Sequence, residues 1–254
     1  MNTPQQGQLF WFDLLTTDVD ASVSFYTALF GWAVTEVDSG DAAPYRALTH
    51  DGVPFGGMVP MSDAADIGAH WKAYMRCEAV DATADAAVSV GGEVLVPPTD
   101  LPEVGRYAAI GDPFGGYFSP LELLEPGDGQ PGPFSWHELR APDFAVAWAF
   151  YSTLFPWDEA PVVEREDGVP VQLIRMGGVD VGVVSPKDSL GHWIHHVAVA
   201  DIDAAIEKAE ALGATCLEGP APLPSVRPEA PALGRTAVLT DPNGALFGIC
   251  AFED

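Results

Sequence analysis

Three of the chain's six histidines fall in one run, His192-Trp193-Ile194-His195-His196. A second run, Trp136-His137-Glu138-Leu139, sets an imidazole beside a carboxylate. Imidazoles, carboxylates and thiolates are the side chains that hold zinc and the other first-row metals. They are also the usual general acids and bases. If both runs are β-strands, their side chains alternate between two faces. His137 and His195 then lie on the face opposite to Glu138 and His196. Glu138 and His196 alone can meet, and two ligands make a poor metal site, with Cys250 as a candidate third. Without a metal, Glu138 and His196 read as a catalytic acid–base pair, because imidazole titrates near neutrality. Cys250 reads either as a nucleophile beside His196 or as a buried, inert thiol. His50, His70 and His192 read as loop or strand-end residues.

The charge balance narrows the partners. The 254 residues carry a formal charge of −26, and lysine occurs only as Lys72, Lys187 and Lys208. Such a field repels nucleic acid and anionic membranes. The acidity reads as a solvated surface adapted to salt, with attraction of a cationic ligand as the alternative. The N-terminus Met1-Asn2-Thr3-Pro4 has neither the basic nor the apolar region of a secretory signal. No apolar run approaches the ~18 residues of a membrane span. Cys77, Cys216 and Cys250 are far apart and form no CxxC, which argues against a disulfide framework and suits a reducing cytoplasm. The expected setting is cytoplasmic, with a small-molecule ligand, no nucleic acid, no membrane, and a monomer or homodimer.

The elements that must position these residues are repeated. FYTALFGW (25–32) returns as FYSTLFPW (150–157), an offset of 125. Residues 11–32 align without a gap to 136–157, 70–92 to 192–214, and 106–118 to 235–247. The changes of offset fall between these blocks, as they do when a duplicated domain varies in its loops. Each half also repeats internally: a strand, an Asp, an amphipathic helix, then strands. Asp18 is placed as a helix N-cap, and Asp143 begins the equivalent helix. Val19, Val23, Tyr26 and Phe30 form the apolar stripe of the first helix; Phe144, Ala147, Tyr151 and Leu154 form its counterpart. Asp51-Gly52 and Gly177-Gly178 suit two-residue hairpin turns. DPFG (112–115) and DPNG (241–244) suit type I turns. The spacing predicts an α+β chain of four βαβββ modules, with a domain over 1–125, a Gly/Pro linker over 126–133 and a second domain over 134–254. The Pro-rich segments 97–105 and 219–234 read as connections, either plain or overhanging a site.

The combined pattern, DLLTTDVDASVSFYTALFGW, ELRAPDFAVAWAFYSTLFPW, ADIDAAIEKAEALGA and the two DPxG turns, resembles the vicinal oxygen chelate superfamily of glyoxalases, bleomycin-resistance proteins and extradiol dioxygenases. The resemblance covers nearly the whole chain and is nearest to tandem, two-domain glyoxalase-like proteins. It implies that paired modules curl their mixed sheets into cups that hold the site. It also implies metal ligands on the first and last strands, at positions that here carry Trp11, Lys72 and Ser119 in one cup and Trp136, Ile194 and Gly248 in the other. Tryptophan and isoleucine cannot coordinate a metal, and a charged lysine does not, so no metal and no other cofactor is expected.

Strand alternation then fills the cups. The first holds Trp11, Asp13, Lys72, Tyr74 and Arg76. The second holds Trp136, Glu138, Arg140, Ile194, His196 and Cys250. Asp13 with Lys72 or Arg76, and Glu138 with Arg140, read equally as ligand contacts or internal ion pairs. In the second cup, Arg140 is expected to fix an anionic or carbonyl group and Glu138 to hold His196 in one tautomer. Three functions follow: metal-free binding of a small aromatic or carbonyl-containing molecule, a metal-free lyase or isomerase using Glu138 and His196, and a metal-dependent glyoxalase or dioxygenase with relocated ligands.

Overall fold

The structure is a computed structural model that describes residues 4–37, 44–62, 68–125, 132–165, 168–187, 192–223 and 233–253. In the first half, β1 (Leu9–Thr16), α1 (Val19–Phe30), β2 (Ala33–Val37), β3 (Tyr45–His50) and β4 (Val53–Pro60) form one module. β5 (His70–Arg76), α2 (Val80–Ser89), β6 (Glu93–Leu101), β7 (Gly105–Gly111) and β8 (Tyr117–Leu123) form the next. The second half repeats this with β9 (Phe134–Ala141), α3 (Phe144–Leu154), β10 (Val162–Glu164), β11 (Pro170–Met176) and β12 (Val179–Pro186), then β13 (His192–Ala198), α4 (Ile202–Ala211), β14 (Thr215–Pro222), β15 (Gly234–Thr240) and β16 (Leu246–Phe252). The result is two eight-stranded mixed sheets, ordered β2-β3-β4-β1-β5-β8-β7-β6 and β10-β11-β12-β9-β13-β16-β15-β14. Within each sheet the two modules join through their antiparallel first strands, β1 with β5 and β9 with β13.

The local signals act as their chemistry requires. Asp18, Asp143 and Asp201 have extended backbones, and their carboxylates accept first-turn N–H groups of α1, α3 and α4. The α2 cap is Ala79, which has no side-chain oxygen to offer; Glu122 accepts from Val80 N instead. Both residues of Asp51-Gly52 and of Gly177-Gly178 have positive φ, as a type I′ hairpin demands. The buried side of α1 is Ser22, Phe25, Tyr26 and Leu29, rotated from the expected stripe, while Val19, Val23 and Phe30 are only partly covered. The rotation has a physical cause: α1 packs on its own sheet and also against the other half. Segment 97–105 is not a connection. Most of it belongs to edge strand β6, where irregular register tolerates Pro97 and Pro98. The start of 219–234 likewise belongs to edge strand β14; 224–232, and 126–131 of the expected linker, lie outside the described residues.

The repeated octet is what docks the halves. Tyr26 of α1 donates to Asp241 Oδ2 in the far half's turn at 3.1 Å and accepts from Trp71 Nε1 at 2.9 Å. Tyr151 of α3 donates to Asp112 Oδ2 at 2.9 Å and accepts from Trp193 Nε1 at 3.0 Å. Both tyrosines are fully buried. The Trp closing each octet stacks on the Tyr of the same octet, Trp32 on Tyr26 and Trp157 on Tyr151. Phe247 of the second half packs on Phe25, and Phe118 of the first half packs on Phe150. One continuous apolar core therefore runs through both halves. Among the described residues, no helix is long and apolar enough to cross a membrane.

Replacing either tyrosine by Phe strands a buried indole N–H and a buried carboxylate oxygen. Tyr26→Phe and Tyr151→Phe are each expected to cost about 1–3 kcal/mol, read as a lower urea midpoint with an unchanged m-value. Losses under about 0.5 kcal/mol for both would show that docking does not depend on these chains.

Candidate functional site

In the second cup, β9 supplies Trp136, Glu138 and Arg140, three alternate residues on one face, and β13 supplies His196. These four line a cavity of about 50 Å³ together with Glu218 of β14 and Leu223. That is room for about three or four waters. β14 lies four strands from β9 in the sheet order, about 19 Å away if the sheet were flat. Yet Arg140 Nη1 donates to Glu218 Oε1 at 2.7 Å and Nη2 to Glu218 Oε2 at 2.8 Å. The sheet therefore curls until its edge strand faces its middle.

Glu138 is fully engaged. Its Oε2 accepts from Arg140 Nη2 at 2.9 Å and its Oε1 from Ser185 Oγ at 2.6 Å. Burial alone would raise this carboxyl's pKa; the Arg140 charge and hydrogen bond, His196 and Ser185 outweigh it and hold the group below its ordinary value, hence ionised. The Arg140 hydrogen bond takes Glu218 to about 2, and Lys187 also donates to it at 3.1 Å. Two of the expected roles change as a result. Arg140 is taken by two carboxylates, and Glu138 spends its oxygens on Arg140 and Ser185 rather than on orienting His196.

His196 is what this network leaves over. It is 1% exposed, and neither ring nitrogen has a hydrogen-bond partner. Desolvation takes it to about 4, with Arg140 adding to the fall against Glu138 and the backbone of Trp136 and Ile194. The ring is thus neutral at pH 7. It has room because its strand partner is Gly248; a Cβ there would collide with the imidazole. Cys250 sits in the apolar cup wall with Trp136, Val163 and Val171, fully buried, its thiol pushed up to about 12 by burial.

The first cup handles its carboxylate differently. Asp13 accepts from Tyr45 Oη at 2.6 Å, Tyr74 Oη at 2.8 Å and Trp11 Nε1 at 3.2 Å. It makes no ion pair with Lys72 or Arg76. The Lys72 ammonium lies 4.4 Å from the centre of the Tyr74 ring and 5.7 Å from that of Tyr107. Sequence reasoning passed over Tyr45, Tyr107, Ser185 and Glu218. For Tyr45 a signal existed: its ring occupies the space a side chain at Gly57 would need, in the Gly-Gly pair of β4. His137 and His195 fall on the far face of the second sheet, as alternation requires. Their Nδ1 atoms are 3.1 Å apart between the halves, against Phe12 and Phe134.

Comparison with known proteins decides the family. Residues 8–118 match the model of the glyoxalase/bleomycin resistance protein/dioxygenase superfamily, and 136–250 match that of a glyoxalase-like domain. "Putative glyoxylase CFP32" of Mycobacterium bovis is 32% identical over 96% of this chain and 95% of its own. The chain belongs to the glyoxalase/bleomycin resistance protein/dioxygenase superfamily. "Anthracycline biosynthesis protein DnrV" of Streptomyces peucetius is 31% identical over 96% of this chain and 93% of its own. In fold, this superfamily member is similar to the Mn(II)-bound glyoxalase from Novosphingobium aromaticivorans, with a TM-score of 0.65, 13% identity, and coverage of 97% of this chain and 83% of that one. It is also similar to an extradiol ring-cleaving dioxygenase from B. fuscum, with a TM-score of 0.67, 14% identity, and coverage of 99% and 73%.

The superfamily's metal does not fit the donors present. Trp136 and Ile194 are buried without a donor atom for a cation, and the His196 ring fills the space beside Gly248. In the first cup the same positions hold Trp11, Lys72 and Ser119. Among the described residues, no three of His, Cys, Asp and Glu are grouped to hold an ion.

Two outcomes follow from this packing. Gly248→Ala is expected to displace the His196 ring and cost about 1–3 kcal/mol by overpacking; a crystal structure of the variant with the ring unmoved would refute the reading. The histidines also make the fold acid-sensitive. Burial holds His137 at about 3 and His196 at about 4, against about 6.5 unfolded. Between those values the unfolded chain binds protons that the folded chain refuses. Stability is therefore complete above about pH 6.5 and falls as pH drops, by up to about 1.4 kcal/mol per unit for each such histidine. Urea unfolding that is flat between about pH 7 and pH 5 would contradict this.

Proposed function

We propose that the second cup binds a small carbonyl- or hydroxyl-bearing organic molecule through its own side chains, without the superfamily's metal. The observation that carries this reading is His196: a neutral, buried imidazole on the cavity wall with two unpartnered nitrogens. A neutral imidazole donates through one nitrogen and accepts through the other, so it can hold a hydroxyl or a carbonyl oxygen. The neighbouring charges are already matched to one another, which leaves a polar contact inside apolar walls of Trp136, Val183 and Leu223, the usual make-up of a ligand site. The relative named for anthracycline biosynthesis makes oxygenated aromatic compounds the first class to screen. A cavity of about 50 Å³ takes the head group of such a molecule, not a whole ring system.

A second reading uses the same imidazole as the proton acceptor of a metal-free lyase or isomerase. It is favoured by the ring's neutrality at pH 7, and turnover of a bound compound separates it from binding alone.

The test is a thermal-shift screen of catechols, hydroxyquinones and 2-oxoaldehydes, with metal analysis of the same protein. A hit is expected to bind His196→Ala at least about tenfold more weakly, a loss of about 1.4 kcal/mol, and to bind equally with and without EDTA. Stoichiometric transition metal inside the cup, or affinity unchanged in His196→Ala, would overturn the reading.

A further inference from the structure

Cations are scarce in this chain, 11 against 37 acidic residues, and most of the described ones are matched. Arg46 pairs with Glu36, Arg106 with Asp81 and Asp100, Arg140 with Glu138 and Glu218, Arg175 with Asp180, and Arg235 with Asp203. Lys187 reaches Glu218, and Lys208 donates to the Leu29 carbonyl. Lys72 and Arg76 differ. Among the described residues, neither has a carboxylate within ion-pair distance or a hydrogen-bond acceptor. Two of the three guanidinium nitrogens of Arg76, Nε and Nη1, are buried without a partner. Burying unmatched donors on a charged group is costly.

The two cations share a face. They flank Tyr74 on β5, and alternation puts all three side chains on the cup side. The next strand, β8, sets Ser119 directly opposite Tyr74. Ser119 is fully buried, and its hydroxyl also has no partner. Arg76 and Ser119 are thus diagonal neighbours on one face, about 7–8 Å apart at Cα. A carboxylate between them can accept from both. Asp13 cannot fill this role, because Tyr45, Tyr74 and Trp11 already donate to it.

We infer that the first cup is a binding site for a small organic carboxylate, whose charge is taken by Arg76 and Ser119 and whose flat body lies along the Tyr74–Tyr107 wall. Lys72, on the other side of Tyr74, adds a second positive charge over the same wall. Burial lowers its pKa against the pull of Asp13, so a nearby anion would favour its charged form. A site of this kind accounts for unmatched positive charge inside a protein whose formal charge is −26.

Benzoate is the probe, measured by titration calorimetry on the full chain at low ionic strength, with benzyl alcohol and inorganic phosphate as comparisons. Benzoate is expected to bind, and benzyl alcohol and phosphate at least tenfold more weakly. Arg76→Gln should weaken benzoate at least tenfold, and Ser119→Ala several-fold, while Arg235→Gln, which removes a surface charge, leaves it unchanged. The melting temperature of each variant without ligand separates loss of binding from loss of fold, and Ser119→Ala serves if Arg76→Gln does not fold. No benzoate binding, equal binding of benzyl alcohol or phosphate, or affinity that neither Arg76→Gln nor Ser119→Ala changes would each overturn the assignment.

Discussion

The buried hydroxyls of Tyr26 and Tyr151 are the contacts on which the arrangement of the two halves depends. Each lies between an indole N–H of its own half and a turn carboxylate of the other. An unmatched polar group at such depth is costly, so all three must be in place together. The turn aspartates act twice. One oxygen of Asp112 accepts from Phe114 N and Gly116 N, and one oxygen of Asp241 from Asn243 N and Ala245 N. The other oxygen crosses to the far helix. Turn geometry, helix position and docking are thereby tied to one carboxylate. This accounts for FY, HW and DPxG recurring together: each supplies one member of the chain. It also sends the helix faces of both sheets into one core, leaving the cups on the opposite faces.

The duplication lets the cups be compared position by position. Asp13 corresponds to Glu138 and Tyr74 to His196. Both cups bury a carboxylate at the same place on the first strand, and both must match it. In the first, neutral donors do so, and Tyr74 is one of them. In the second, Arg140 and Ser185 do so, and the residue in the Tyr74 place is released. That His196 is left without a hydrogen-bond partner is therefore a consequence of Arg140, whose counterpart in the first half is Leu15. The last strand follows suit. Ser119 becomes Gly248, and the missing side chain is the space that the imidazole occupies.

Most of the fold was legible because its signals are local. An Asp before a helix, a Gly-Gly turn and a period-two strand each act within a few residues, and the repeat then fixed the number of modules. Alternation placed Trp136, Glu138, Arg140 and His196 on one wall because all four sit on two adjacent central strands. It could not deliver Tyr45, Tyr107 or Glu218. Those belong to outer strands β3, β7 and β14, with register shifts in β3 and β14, and a parity count is lost at a bulge. They reach the cups only because the sheets curl. The pairing of charges was equally hidden: Asp13 was a natural partner for Lys72 until Tyr45 took its place.

Curling has an electrostatic consequence for the second cup. Arg140 is nearly buried on β9, while Glu218 on edge strand β14 is almost half exposed. An exposed partner lessens what the pair adds to stability, since water screens it. The geometry matters more than the net energy. Two parallel N–H···O contacts fix the edge strand over the cup in one orientation, and they keep Arg140 matched whether or not a ligand is present. Among the polar side chains that line the cavity, Glu138, Arg140 and Glu218 are thus spent on one another, while the His196 ring is left without a partner.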